Sequence, residues 1–350
     1  MAEKKAIISR HFDFWCLGGL SILFWGILWW LQWNHEPKTA NTSFSPNFLI
    51  FSTFSSVLTL LCNQPHFISS YLFCYRKEKE FILKHKFCLI WVPSTLLCSF
   101  IFAYWHPVLM SYAVLLMNLT IGWHYSKQIF GCILTYARYD KYELSQGQKT
   151  VLKWNLFFVA ILNFISNTQY FSNLDKSSKV FLGVPLIDFS IPSCFYTFSS
   201  ILVGISTLCV VVFILWKNFN SQGKNLPSLN FLIPWIAFFV WWLPVLRQRE
   251  FYFLFVPFFH GLQYFPFALN RERSFKPEKS LNRSIILWIT LGILWFQFLP
   301  KILDVCLSTE NSFGFVFFLS SIGIFINVHH FFIDSVIWKT NDPEVKKALG

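Results

Sequence analysis

Charge is what this chain has least of: only 13% of its 350 residues are Asp, Glu, Lys or Arg, against 55% hydrophobic and 21% aromatic. Ordinary soluble domains carry about twice that share of charge, so the composition excludes one and fits a polytopic membrane protein. No polar stretch is long enough to hold a soluble domain of its own. Paired-cysteine motifs are missing as well. The nine cysteines contain no C-x-x-C pair and nearly all fall in apolar runs, so they read as small buried hydrophobes rather than zinc ligands or a disulfide framework. There is no internal repeat and no low-complexity tract. Residues 1–10 lead into apolar sequence with no A-x-A cleavage site, so the first apolar run is expected to stay as a helix rather than be removed as a signal.

What the chain does have is long apolar runs. They occupy residues 12–33, 47–75, 87–105, 107–137, 151–167, 193–216, 229–246, 251–269, 284–303 and 313–338. A spanning helix needs about 20 residues, which makes the fifth run marginal and the others adequate or nearly so. The expectation is an all-α transmembrane bundle of about ten spans, forming a single integral membrane domain over residues 1–350. The net charge of +12 invites a nucleic-acid reading, but the cations are scattered between apolar runs, so no nucleic-acid partner is expected. With both termini cytoplasmic, 22 lysines and arginines fall on the cytoplasmic side and six on the other, leaving Lys127 inside a span. The positive-inside rule predicts such a bias, and removing one span would scramble it. The loop 168–192 is the one extramembrane piece of a size to form a lid.

Five of the nine histidines are the candidates for chemistry: His66, His124, His260, His329 and His330. The others, His11, His35, His85 and His106, lie near the ends of spans or in a basic loop and need no special role. Each of the five belongs to an even-numbered span. Counting back from the next cytoplasmic cation at 1.5 Å per residue, all lie about 14–21 Å from the same membrane face. Asp334 follows His330 by four residues and shares its helix face, whereas His329 points about 100° away. An ionisable side chain at bilayer depth costs roughly 2.5–3.5 kcal/mol, which partners offset. A single histidine there is usually an interhelical hydrogen-bonding group. Five at one depth with an aspartate point instead to a metal held between helices, since neutral imidazole binds iron, copper and zinc. Tyr264, Gln128 and Asn63 stand three or four residues from a histidine and are placed to bond in the same layer. Lys127 either snorkels or pairs with Asp334.

The membrane desaturase boxes H-x-x-x-H and H-x-x-H-H are absent. Pro65-His66, His124-Tyr125, His260, and His329 with Asp334 five residues on, follow one another in an order that resembles the bacterial membrane carotene-cleaving dioxygenases of the Brp/Blh type. The match covers four short motifs over residues 65–334. It departs where Ser126-Lys127-Gln128 replace the family's aspartate and where Gln263-Tyr264 replace a second histidine. The resemblance implies an iron centre activating dioxygen against a lipophilic substrate.

The expected function is a membrane-embedded non-haem iron oxidoreductase or oxygenase, in the bacterial inner membrane. His66, His124, His260, His329, His330 and Asp334 are its candidate metal ligands, for one ion or a di-metal pair. Tyr264 and Lys127 are its candidate proton handlers. Its partners would be a polyene, quinone or acyl chain from the bilayer, dioxygen, membrane lipids and an electron donor of unknown kind. Two alternatives use the same residues: a haem-binding membrane cytochrome, and a metal-ion or proton-coupled transporter with a histidine relay.

Overall fold

The computed structural model describes residues 5–33, 46–106, 108–172, 180–181, 184–187, 189–216, 227–246, 249–275, 281–307, 317–339 and 342–349. Within them the chain is all-α but for one two-stranded hairpin, Val180–Phe181 with Val184–Pro185. That hairpin belongs to the expected lid loop, most of whose remainder lies outside the described residues. Ten main helices, nine of them of 19 residues or more, follow in order: α1 (Arg10–Trp30), α2 (Pro46–Tyr75), α3 (Phe87–Trp105), α4 (Val108–Tyr139), α5 (Gln146–Ser172), α6 (Ser193–Trp216), α7 (Leu229–Trp242), α8 (Arg249–Phe275), α9 (Leu281–Leu307) and α10 (Phe317–Ile337).

Among the described residues seven helices (α1, α3, α4, α5, α6, α9 and α10) are long and apolar enough to cross a membrane. α2 and α8 are longer than most of these, but they carry polar side chains and interior prolines and are not among the seven. The fifth run, marginal by its apolar length alone, is extended at both ends into a helix of 27 residues. The seventh falls short of its run. Leu243 precedes Pro244 and is extended, so α7 ends after 14 residues.

Backbone contact between helices depends on small residues. A Cβ on Gly18 would lie 2.8 Å from the Ile233 carbonyl oxygen, so α1 crosses α7 with nothing between them. Ser21 Oγ donates to the Gly18 carbonyl at 2.7 Å, at the point where Gly18 leaves helical geometry. The N-terminal end is fixed by Asp13, which accepts the Ile7 N–H at 2.8 Å and the Tyr136 hydroxyl. The cysteines differ from expectation in part: Cys16, Cys74 and Cys132 are buried, while Cys98, Cys194 and Cys306 lie on the outer surface of the bundle. An outward thiol in an apolar span meets lipid, so apolar surroundings do not require burial.

Three apolar cores divide the bundle. One joins α1, α4, α5, α6, α7 and α8, a second joins α3, α4, α10 and Val184 of the hairpin, and a third joins α2, α3, α8, α9 and α10. Each contributes an aromatic ring to the histidine cluster: Tyr125 from the first lies 3.8 Å from His260, Phe331 from the second 4.5 Å from His124, and Tyr264 from the third 4.1 Å from His66, between ring centroids. The cluster therefore sits where the three cores meet.

Candidate metal centre

Four helices supply the cluster: His66 from α2, His124 from α4, His260 from α8, and His330 with Asp334 from α10. The four imidazoles are at most 4% exposed. His66, His124, His330 and Asp334 each offer one ligand atom, and these atoms all lie within 4.8 Å of one another. Asp334 Oδ2 is 3.2 Å from His330 Nε2 and 3.7 Å from His66 Nε2, with neither pair aligned as a hydrogen bond. His260 joins at the edge, its Nε2 lying 3.0 Å from His124 Nε2.

These separations are those of a slightly open coordination shell. Ligand distances of about 2.0–2.1 Å place neighbouring donors roughly 3 Å apart and opposed donors roughly 4 Å apart. Hydrogen bonding leaves nitrogens of three of these rings unsatisfied. Both nitrogens of His66, both of His330, and Nδ1 of His260 are buried with no hydrogen-bond partner among the described residues. An unpaired buried polar group costs about 1–3 kcal/mol, so several in one pocket need a common explanation. A cation accepting one lone pair from each ring would account for one nitrogen of His66 and one of His330, and the donor set of imidazoles plus one carboxylate fits such an ion.

The carboxylate is supported on its far side. Ser70 Oγ donates to Asp334 Oδ1 at 2.7 Å and lies 2.7 Å from Tyr264 Oη, to which Trp338 Nε1 donates at 3.1 Å. Around His260, Gln128 Nε2 donates to its backbone carbonyl and to Gln263 Oε1, both at 3.0 Å. Gln263 in turn donates to the Leu17 carbonyl at 2.7 Å, tying α8 to α1.

Comparison of the chain with protein-family models, with curated proteins and with solved structures returns no match.

Two of the residues singled out in the sequence lie elsewhere. His329 is buried but stands outside the group of convergent donors: its Nδ1 lies 2.8 Å from Tyr71 Oη, because it occupies the next face of α10. Lys127 is exposed, and its Nζ lies 4.1 Å from the centroid of the Trp123 ring. It makes no pair with Asp334: three positions from the buried His124, it lies at the exposed margin of that face and turns to Trp123 instead. Tyr264 is brought to the cluster, through Ser70. Ser70 and Tyr71 were missed by sequence reasoning. The spacing offered one signal, as Ser70 follows His66 by four residues and therefore shares its face.

Proposed function

We propose that this chain is an integral membrane oxidoreductase whose metal ion, iron in this reading, is held by His66, His124, His330 and Asp334 with His260 beside them. One observation carries the proposal: four donors from three helices converge within 4.8 Å, and the imidazoles among them are buried. Such an ion would supply redox chemistry and Lewis acidity. The chain's own residues hold it and keep water away. Phe67 packs 4.8 Å from His330, and Phe331 stacks on His124. A site walled by aromatic rings suits a lipophilic substrate drawn from the bilayer better than a polar one, which supports an oxygenase-type reaction on a polyene, quinone or acyl chain.

Ten crossings with both termini cytoplasmic belong to the same proposal. Nine helices of 19 residues or more, the 14-residue α7 and the one-sided placement of lysine and arginine support it. The haem reading has less support, because a porphyrin leaves only two opposed axial positions on its iron, whereas these donors surround one point. The relay reading of a transporter loses a member in Lys127, which faces away.

Elemental analysis of detergent-purified protein beside a His330→Ala variant tests the proposal. Near-stoichiometric metal in the wild type and its loss in the variant is the expected result. A folded wild type that holds no metal and cannot be loaded overturns it.

A further inference from the structure

Asp334 is held by a line of hydrogen bonds whose direction can be assigned. Trp338 Nε1 is 3.1 Å from Tyr264 Oη, Tyr264 Oη is 2.7 Å from Ser70 Oγ, and Ser70 Oγ is 2.7 Å from Asp334 Oδ1. An indole N–H can only donate, an ionised carboxylate can only accept, and each hydroxyl has one proton to give. Ser70 gives its proton to Asp334, so Tyr264 must donate to Ser70 and Trp338 to Tyr264. Every bond in the line points toward the carboxylate.

We infer that Ser70, Tyr264 and Trp338 are positioning residues that hold Asp334 Oδ1 away from the histidines and leave Oδ2 alone to address a bound ion. The inference rests on the metal reading above and changes the part played by one residue within it. Tyr264, expected from sequence to handle a proton in the reaction, has its only proton committed to Ser70 and acts through Asp334 instead. The geometry agrees: Oδ2 is the oxygen near both His330 Nε2 and His66 Nε2, while Oδ1 carries the serine bond. The line draws on α2 and α8 as well as on residues of and just beyond α10, so the packing of three helices, rather than the rotamer of one aspartate, orients the carboxylate. Outer residues of this kind change metal affinity by about 10–100-fold when removed.

Co²⁺ titration of the full-length, metal-stripped protein in detergent, followed by visible d–d absorption, tests the line. Wild type should bind, and His330→Ala should not. Tyr264→Phe and Ser70→Ala should each weaken binding by about 10–100-fold and alter the d–d bands. The double variant should be no weaker than Ser70→Ala alone, because the tyrosine acts through the serine. Tyr142→Phe removes a buried hydroxyl bonded to the Ile214 carbonyl in another part of the bundle and should bind as wild type does. If Tyr264→Phe does not fold, Ser70→Ala, which deletes one oxygen, decides the matter. Wild-type affinity in Ser70→Ala and Tyr264→Phe beside lost binding in His330→Ala would overturn the positioning line and leave the metal reading standing. Absence of Co²⁺ binding by the wild type, or equal binding by His330→Ala, would remove both.

Discussion

His124 Nε2 and His260 Nε2 face each other at 3.0 Å, although 136 positions separate them in the chain. With no ion between them, one ring must donate to the other. A cation that takes both lone pairs turns this contact into one edge of its coordination shell.

The first prediction follows from that contact. Metal ions added to metal-stripped protein should raise the thermal midpoint, by an increment equivalent to about 2.7 kcal/mol when free ion is a hundredfold above its dissociation constant. Differential scanning fluorimetry in detergent with Fe²⁺ and with Zn²⁺ measures it. His66→Ala and His330→Ala should abolish the increment, and His260→Ala should reduce it. A midpoint unmoved by either ion would contradict the site.

Gly261 neighbours His260 and meets α2 backbone to backbone: a Cβ there would lie 2.9 Å from Asn63 Cα. Rigid backbone cannot give way as a side-chain tip can, so Gly261→Ala must push α8 from α2. Overpacking of this kind costs typically about 1–3 kcal/mol. Because His66 and His260 sit on the two helices forced apart, metal affinity should fall together with the melting temperature. A drop in stability with unchanged affinity would show that the cluster tolerates the separation.

Lys127 should prove dispensable to the site. Its ammonium rests on Trp123 at the surface of α4, a contact worth about 0.5–1 kcal/mol. Lys127→Gln should therefore leave metal content and affinity at wild-type levels and lower stability only slightly. Loss of bound metal in this variant would mean that the lysine reaches the cluster after all.

Acid should loosen the C-terminal end before the bundle. Burial pushes the Asp342 carboxyl up, but its hydrogen bond with Lys77, the Glu344 N–H and the charges of Lys77 and Arg271 outweigh burial and hold it below the usual carboxylate range. A carboxyl depressed by folding contributes stability that is present above its unfolded value, near 3.8, and is lost as pH falls through its folded value. Limited proteolysis of the segment that includes the short helix Pro343–Leu349 should therefore speed up as pH drops below about 4. Asp342→Asn should flatten that dependence. Equal acid sensitivity in the variant would place the cause elsewhere.

Much of the bundle was legible in the chain because apolar length is a local property. The runs at 87–105 and 193–216 coincide with α3 and α6 at both ends. α7 is shorter than its run because Pro244 imposes an extended Leu243, a backbone rule that hydropathy does not contain. The pairing of His330 with Asp334 was readable from helical periodicity, as was the divergence of His329. Of the two readings of Lys127, its exposed position disfavours the pair with Asp334, and the sequence left the choice open because periodicity says which residues share a face but not which face turns inward.

By itself the sequence determined that this is an apolar helical protein with histidines at one depth, since both properties follow from composition and from rise per residue along single helices. Only the tertiary structure decided that His66, His124, His260 and His330 meet, that Asp334 and not Lys127 joins them, and that Ser70 and Tyr264 stand behind the carboxylate. Those contacts depend on how each helix is rotated about its axis, and rotation is set by packing against neighbours: the Gly261–Asn63 approach, the Gly18–Ile233 crossing, and the three apolar cores that close around the site.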